Sequence, residues 1–353
     1  MNQALKIGII IVNYKDYAQR FLYDCIETLR KQEGENLDCQ LYIIDNSSSE
    51  ETREYLKKQA PEAKIIPRSD GNYSAANGAG IEQAGQNGCE YFVIVNMDVV
   101  FNKNWLSELV KAVNSDEQVG IAQSKVMLWP EKDKINSVGN VINFLGFGFT
   151  QGYREKNKEI EEIEEIKGYA SGCSMIIKLE VIEKIGNYDS EYYMYHDDVE
   201  LGWRTKLAGY KIVLAPKSVV YHKYEFSRSV RMLYYMERNR YIAILSFYKL
   251  PTILLVLPPL VIMDLGMLAY SIINGWFGTK LKVYLYFLQP KNWQHIFQVR
   301  QQVKKFRQVS DRVIIKNIAG IIDHQEIMNP VLKYIVNPVF NLYWKFIRVF
   351  IVW

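Results

Sequence analysis

Four apolar runs of strand length, separated by helical patterns, dominate the first hundred residues of the chain. The run at residues 7–12 is continuously apolar, which is typical of a central parallel strand that is covered on both faces. Strands that alternate with helices form parallel sheets with right-handed crossovers. We therefore predict an α/β domain with a mostly parallel sheet flanked by helices. The strands are predicted at residues 7–12, 41–44, 64–66 and Tyr91–Val95, and the helices between them at 17–32, 51–59 and 74–85.

Polar side chains follow three of these strands, namely Asn13, Asp45 and Asp98. The carboxyl ends of parallel strands are where open α/β sheets bind their ligands. Two roles are open for an aspartate at such a place, because it can cap the next helix or contact a ligand. Asp45 also suits hydrogen bonds from a nucleobase or a ribose hydroxyl. Neither a Gly-x-Gly-x-x-Gly fingerprint nor a P-loop is present, which argues against dehydrogenase and P-loop nucleotide sites.

A second acidic segment lies about a hundred residues after Asp98. Asp197, Asp198 and Glu200 fall within four residues and follow an aromatic run. We interpret the segment around Asp98 as a metal site and the later segment as the source of a general base. Glu200 is expected to cap the next helix, predicted at residues 201–208, or to face solvent. The remaining strands are predicted at residues 119–122, 174–178, 211–215 and 218–222, the remaining helices at 104–114 and 180–185, and an irregular, partly charged region at 127–166.

Several short motifs, taken together, resemble the family 2 glycosyltransferases of the GT-A fold, in particular the bacterial rhamnosyltransferase-like group. They occur in the family's order over residues 6–225, so the resemblance implies a nucleotide-sugar-binding and catalytic domain at residues 1–226. The motifs are Ile11-Val12-Asn13-Tyr14, Ile44-Asp45-Asn46-Ser47-Ser48, the small-residue segment from Gly71 to Gly80, Asn96-Met97-Asp98, Ser171-Gly172, Asp197-Asp198-Val199-Glu200-Leu201 and Val219-Val220-Tyr221-His222.

The resemblance implies a divalent cation, Mg²⁺ or Mn²⁺, at the diphosphate of a nucleotide-sugar. Asp98 matches the last acid of the family's metal-binding motif, and carboxylate oxygen suits both ions. The first position of that motif is Asn96 here, so a single protein carboxylate would hold a metal that comes largely with the nucleotide. His222 matches a histidine that reaches the metal or diphosphate in some relatives; the alternative is a strand-end histidine with a backbone partner.

The same resemblance implies a catalytic base in the later acidic segment. Asp198 is assigned as the base that deprotonates the acceptor hydroxyl, and Asp197 as the supporting acid, although the exchange of the two roles stays open. Crowded carboxylates raise one another's pKa, which favours a base that works near neutral pH. For Asn77, packing among small residues is an equal alternative to ligand binding. The implied nucleotide-sugar pocket comprises Asn13, Tyr14, Asp45, Asn46, Asn72, Asn77 and Asn96.

The C-terminal part, residues 227–353, differs in composition from the rest. Residues 226–353 carry 17 lysines and arginines against five acids, whereas the first 225 residues have a net charge of −8. Residues 252–274 are long and apolar enough to span a bilayer. Pro258-Pro259 is expected to break this segment, Asp264 lies inside it, and basic residues flank both ends. A re-entrant or interfacial helical pair is therefore favoured over a transmembrane helix.

Amphipathic basic helices are predicted on both sides of that segment, at residues 228–248, 292–307 and 331–353. Their apolar content favours a membrane surface over nucleic acid. The alternative is a helical domain that packs on itself or forms a homo-oligomer. The four cysteines are widely spaced and contain no Cys-x-x-Cys motif, which is typical of a cytosolic protein with reduced thiols.

These expectations combine into one hypothesis about function. The chain is expected to be an inverting glycosyltransferase at the cytoplasmic face of the membrane. It would move a sugar, rhamnose from dTDP-rhamnose, to a lipid-linked saccharide. Three alternatives stay open: a transferase that uses a UDP-sugar, a catalytically silent scaffold that binds a nucleotide-sugar or glycan, and a nucleotidyltransferase. The last would require a basic, glycine-rich phosphate loop near the N-terminus, which is missing.

Overall fold

The structure, a computed structural model, describes residues 4–34, 36–224, 233–323 and 330–353. The chain divides into two compact units. The first contains Met1–Asn140, Thr150–Thr205 and Tyr210–Tyr224, and the second contains Val141–Phe149, Lys206–Gly209 and Glu225–Trp353. The predicted domain boundary at residues 226 and 227 lies outside the described residues.

The helices and strands have the following bounds. The strands are β1 (Leu5–Asn13), β2 (Leu37–Asp45), β3 (Lys64–Pro67), β4 (Tyr91–Val95), β5 (Val99–Phe101), β6 (Val119–Leu128), β7 (Ile135–Ser137), β8 (Asn140–Ile142), β9 (Gly148–Thr150), β10 (Glu164–Glu165), β11 (Ser174–Lys178) and β12 (Lys211–His222). The α-helices are α1 (Tyr23–Leu29), α2 (Glu50–Gln59), α3 (Tyr73–Gln86), α4 (Trp105–Val113), α5 (Leu179–Ile185), α6 (Asp197–Leu207), α7 (Leu233–Phe247), α8 (Leu250–Ile273), α9 (Phe277–Phe287), α10 (Pro290–Phe306), α11 (Asp311–Ile314) and α12 (Asn337–Ile347).

The main sheet of the first unit is mixed and mostly parallel, which confirms the predicted fold class. Its strand order is β10-β12-β6-β11-β4-β1-β2-β3, with β5 and β7 paired to β12 and β6. β1 is parallel to both β2 and β4, so the direction of winding changes at β1. A crevice at the carboxyl ends of the strands opens at such a point, and ligands bind there. The parallel register places Asn13 directly opposite Asp45.

Small residues in α3 allow this helix to lie close to the sheet. A side chain at Gly80 would overlap Ile10 of β1 and would come within 3.3 Å of the Ile44 side chain. Ala84, one turn later, lies over Gly8. The second half of α3 is thereby held over β1 and β2, so the start of the helix, which follows Gly71, is directed to the side of the sheet where those strands end.

Several predicted boundaries in the first unit were wrong. α6 begins at Asp197, four residues earlier than predicted, so both aspartates belong to its first turn. β12 is one strand with a register shift between Ala215 and Val219, where two strands were predicted. β6 continues to Leu128 and fully buries its residues, and the supposedly irregular region contains the short strands β7 to β10.

The second unit is helical, as predicted, and its apolar helix is continuous. The predicted break at Pro258-Pro259 was wrong, because both prolines lie inside α8. Pro259 has no N–H to donate to the carbonyl of Leu255. The hydroxyl of Tyr343, in α12, donates to that carbonyl at 2.8 Å and replaces the missing partner. The helix predicted from residue 228 is described from Leu233 onward, and residues 228–232 lie outside the described ranges.

Candidate active site

The carboxyl ends of β1 and β2 carry a buried amide–carboxylate pair. Asn13 donates through Nδ2 to Asp45 Oδ1 at 2.8 Å, and both side chains are fully buried. The other carboxylate oxygen of Asp45 accepts from the Thr52 hydroxyl at 2.9 Å. Asn13 Oδ1 accepts from the backbone N–H of Ala18 at 3.0 Å. These bonds fix the strand ends, and they occupy the atoms that were predicted to contact a nucleobase or ribose.

Asp98 and His222, predicted as the metal site, lie together. His222 Nε2 is 3.2 Å from Asp98 Oδ1, and both side chains are more than nine-tenths buried. Asn136 Oδ1 lies 2.9 Å from His222 Nδ1, so the ring is oriented on both sides. Burial of the ring opposes protonation, but Cys173 and Asp98 outweigh it and raise the pKa of His222 well above its usual range. No sequence motif indicated Asn136, which lies 86 residues away on β7.

The chemistry of this pair fits one edge of a divalent cation site. Carboxylate oxygen is a preferred ligand of Mg²⁺ and Mn²⁺, and imidazole is a common additional ligand of transition metals. Within the described ranges, however, no group of three or more His, Cys, Asp or Glu side chains could hold a metal ion. Asp98 and His222 could therefore anchor such an ion, and a diphosphate or water would have to complete its coordination.

Asp198 is held by a close backbone contact with the Ser171-Gly172 motif. The N–H of Gly172 donates to Asp198 Oδ2 at 2.8 Å, while Oδ1 is buried without a hydrogen-bond partner among the described residues. A Cβ at position 172 would lie 2.7 Å from Asp198 Oδ1, so any other residue there would displace the carboxylate. Burial raises the pKa of Asp198 to about 6, against the smaller opposing effect of the Gly172 hydrogen bond.

Asp197 is more deeply buried than Asp198, which is partly exposed. Only 5% of Asp197 is exposed, and its Oδ2 has no hydrogen-bond partner in the part of the chain that the structure describes. Burial, followed by repulsion from Asp198, raises the pKa of Asp197 well above its usual range. Two carboxyl groups that differ in this way suit two roles, in which Asp198 ionises near neutral pH and Asp197 stays protonated.

Two tyrosines beside the acidic pair were not predicted as site residues. The Tyr73 hydroxyl donates to Asn96 Oδ1 at 2.9 Å, and burial together with Asp197 and Asp198 raises its pKa well above the usual range. The buried Tyr188 hydroxyl has no hydrogen-bond partner among the described residues, and burial with the same two carboxylates raises its pKa likewise. Tyr73 stands within the glycine-rich motif, so its position could have been found from the sequence.

The remaining predicted pocket residues differ in how much of each side chain is available. Asn72 caps α3 by accepting from the N–H of Ala75 at 3.0 Å, and it donates to the carbonyl of Ser190 at 2.8 Å. Asn77 is buried with both side-chain polar atoms unpartnered in the described ranges, and the same holds for Asn46 Oδ1. Tyr14 is half-buried at the end of β1, with the Lys15 ammonium 5.1 Å from its ring.

The segment that precedes α6 has an unusual backbone. Tyr193, Tyr195 and His196 all have φ near +60°, a conformation that non-glycine residues rarely adopt. In the first turn of α6, Glu200 is buried and pairs with Arg204, whose Nη2 is 2.6 Å from Glu200 Oε2. The expectation that Glu200 caps a helix or faces solvent was therefore wrong. This ion pair and the strained turn fix the direction in which α6 starts, and hence the position of Asp198.

Comparison with known proteins agrees with the mixed, mostly parallel sheet. The chain belongs to glycosyltransferase family 2, because the family model described as "Glycosyl transferase family 2" matches residues 8–186. Its similarity to rhamnosyltransferases places it near the rhamnosyltransferase-like members.

The individual relatives are distant. The chain is 23% identical over 201 residues to the N-acetylglucosaminyl-diphospho-decaprenol L-rhamnosyltransferase of Mycobacterium tuberculosis, an alignment that covers 51% of this chain and 65% of the relative. It is 23% identical over 197 residues to the O-antigen chain rhamnosyltransferase WbaN of Salmonella anatum, covering 56% and 60% of the two chains. The chain thus spans less than two thirds of the length of these relatives.

One solved structure supports the fold. The crystal structure of GalNAc-T7 with UDP, GalNAc and Mn2+ matches with a TM-score of 0.53 at 15% identity, covering 69% of this chain and 48% of that one. The match shows that the two chains share a fold.

Proposed function

We propose that the chain is an inverting, metal-dependent glycosyltransferase that moves rhamnose from dTDP-rhamnose to a lipid-linked saccharide during polysaccharide synthesis at the cytoplasmic face of the membrane. The observation that carries the proposal is the environment of Asp198, whose Oδ1 is unpartnered while Oδ2 is fixed by Gly172. The names of the two rhamnosyltransferases support the sugar, and that of the mycobacterial relative supports a lipid-linked acceptor.

In the proposed reaction Asp198 acts as the general base. Its carboxylate takes the proton of the acceptor hydroxyl while the hydroxyl oxygen attacks the anomeric carbon and the bond to the diphosphate breaks. Asp197, kept protonated by its surroundings, would orient Asp198 or donate a hydrogen bond to the acceptor. Asp98 and His222 would hold a divalent cation, which when bound supplies positive charge that stabilises the departing diphosphate. Tyr73, Asn96 and Asn77 would line the donor side.

A donor panel tests this proposal with the full-length chain. Thermal stabilisation and slow donor hydrolysis are measured with dTDP-rhamnose, dTDP-glucose, UDP-glucose and GDP-mannose, with and without Mn²⁺ or Mg²⁺. We expect dTDP-rhamnose to give the largest stabilisation and metal-dependent hydrolysis. The Asp98→Asn variant should lose the response to metal, and Asp198→Asn should keep the stabilisation by donor but lose hydrolysis.

The alternatives predict different results in the same panel. If only a UDP-sugar were hydrolysed, the chain would still be a glycosyltransferase, but the proposed donor would be wrong. Stabilisation without hydrolysis by any donor, in both the native chain and Asp198→Asn, would indicate the catalytically silent scaffold and contradict the proposed reaction.

A further inference from the structure

The helical unit exposes a continuous apolar stripe along α8. Leu250, Leu254, Leu257, Val261, Leu265 and Ile272 are each between 44% and 61% exposed. Their spacing places them on one side of the helix. The opposite side, which includes Val256, Leu260 and Met263, is buried. Monomeric soluble proteins rarely expose an aliphatic stripe of this length, so it marks an interaction surface.

The neighbouring helices extend this apolar stripe. α12 packs beside α8 through the bond from Tyr343 to Leu255, and it exposes Val339, Leu342 and Phe346 on its own outer side. α9 exposes Phe277, Leu281 and Leu285. We call the α8 stripe, together with these residues of α9 and α12, the apolar face.

The acidic residue inside α8 points away from the apolar face. Asp264 Oδ1 is 2.6 Å from the Lys280 ammonium of α9, and Asp264 Oδ2 accepts from the Tyr284 hydroxyl at 2.7 Å. Lys280, fully buried, also lies 2.7 Å from Glu237 of α7. α8 is thus tied by its inner side to a buried network of charges, and its outer side carries no charge.

Exposed positive charges lie on or next to the helices that contact α8. α9 folds back along the C-terminal half of α8 and exposes Lys282, while α12 exposes Lys345, and Arg348 follows that helix. α9 has 11 residues, or about 16 Å of helix, too short to cross a hydrocarbon core of about 30 Å. A bilayer around α8 would have to bury these cations, whereas contact from one side would leave them at the level of the lipid headgroups.

We propose that the apolar face inserts into one leaflet of an anionic bilayer, so that α8 lies in the interface and does not cross the membrane. The aliphatic stripe would enter the acyl region, and Lys282, Lys345 and Arg348 would contact lipid phosphates. The proposal specifies the surface and the manner of the membrane association in the proposed function, but it does not depend on the donor or the reaction.

Vesicle flotation without nucleotide-sugar or acceptor tests the surface. The full chain is mixed with vesicles of phosphatidylcholine and phosphatidylglycerol, or of phosphatidylcholine alone. We expect the double variant Leu254→Glu/Val261→Glu to bind anionic vesicles at least ten-fold less than the native chain. The control Gln86→Glu/Gln118→Glu adds the same charge at two exposed positions of the first unit and should lose less than three-fold. Equal losses in both variants would overturn the role of the apolar face. Equal binding of the native chain to both vesicle types would overturn the role of the cations.

A labelling experiment tests whether α8 crosses. Asn274→Cys, at the exposed C-terminal end of α8, is made in a Cys39→Ser background because Cys39 is the one exposed cysteine among the described residues. When the variant is bound to the outer surface of the vesicles, a membrane-impermeant maleimide should label position 274 without lysis of the vesicles. Protection until lysis would show that α8 spans the bilayer. If the native chain is dimeric without lipid and the Leu254→Glu/Val261→Glu variant is monomeric, the face is a protein interface and the proposal fails.

Discussion

The Asp198 carboxylate lies beside Asp197, and the burial that raises its pKa also makes its ionisation costly in the folded chain. Its folded pKa of about 6 lies above its ordinary value of 3.8. An acid with a raised folded pKa folds preferentially in its protonated form. The loss of unfolding free energy caused by ionisation of Asp198 is absent below about pH 4, grows between pH 4 and 6 and is complete above pH 6. The ionised form, which we propose to be the active one, is therefore the less stable one.

We predict that Asp198→Asn raises the free energy of unfolding at pH 8 by about 1–2 kcal/mol while it abolishes transfer. The gain should be smaller at pH 4.5 and should vanish below about pH 4, where the carboxyl is protonated in both the folded and the unfolded chain. Chemical denaturation at both pH values measures it. In the native chain, kcat/KM should rise ten-fold per pH unit below pH 6 and then level off. An Asp198→Asn variant that is destabilised equally at both pH values would contradict the argument.

Sequence and structure agree best where a residue's role follows from its own segment. Asn13, Asp45 and Asp98 follow apolar strands, so their place at the sheet edge could be predicted from periodicity alone. The contact between Gly172 and Asp198 could not, because 26 residues separate them and only the folded chain shows that a Cβ would clash. The same is true of Asn136, which contacts His222 across 86 residues.

At the scale of elements, the errors arose where distant partners change a local preference. The proline pair predicts a broken helix, yet α8 continues because Tyr343 replaces the hydrogen bond that Pro259 cannot make. The position of Asp264 in an apolar segment predicts a free-energy cost if the segment is placed in lipid. In the structure, however, Lys280 and Tyr284 pair with the Asp264 carboxylate inside the second unit. In contrast, the close packing of α3 on the sheet follows from the small size of its own glycine and alanine residues.

Two glycines of α3 allow this packing to be tested within one helix. We predict that Gly80→Ala destabilises the chain by about 1–3 kcal/mol, because the new methyl group overlaps the fully buried Ile10. Gly85→Ala is the matched control, since its nearest side-chain atom, on Phe92, is 3.8 Å from the new Cβ. It should be neutral or stabilise by up to about 1 kcal/mol. Denaturant unfolding measures both, and equal effects would show that α3 does not depend on the close approach.

At the scale of the whole molecule, the two units are not consecutive in the chain. Residues 141–149, with the turn between β8 and β9, belong to the second unit. The Phe144 ring stacks on Trp344 with centroids 5.0 Å apart, and Arg240 donates to the carbonyl of Leu145 at 3.0 Å. Both hairpin side chains are fully buried. The second unit therefore includes residues that precede the predicted boundary at residue 226 by about 80 positions, and no local sequence pattern indicates this.

A fragment of residues 1–226 tests the consequence. Without the second unit, Phe144 and Leu145 lose their partners and become exposed, so we predict that the fragment aggregates on size-exclusion chromatography. The Phe144→Ser/Leu145→Ser variant of the fragment should elute as a monomer. In the full chain the same double substitution should instead destabilise the protein by about 3–5 kcal/mol, because it leaves a cavity against Trp344. The double substitution should thus improve the behaviour of the fragment and destabilise the full chain, which is expected if the hairpin belongs to the helical unit. If the hairpin were a surface loop, the substitution would have the same effect in the fragment and in the full chain.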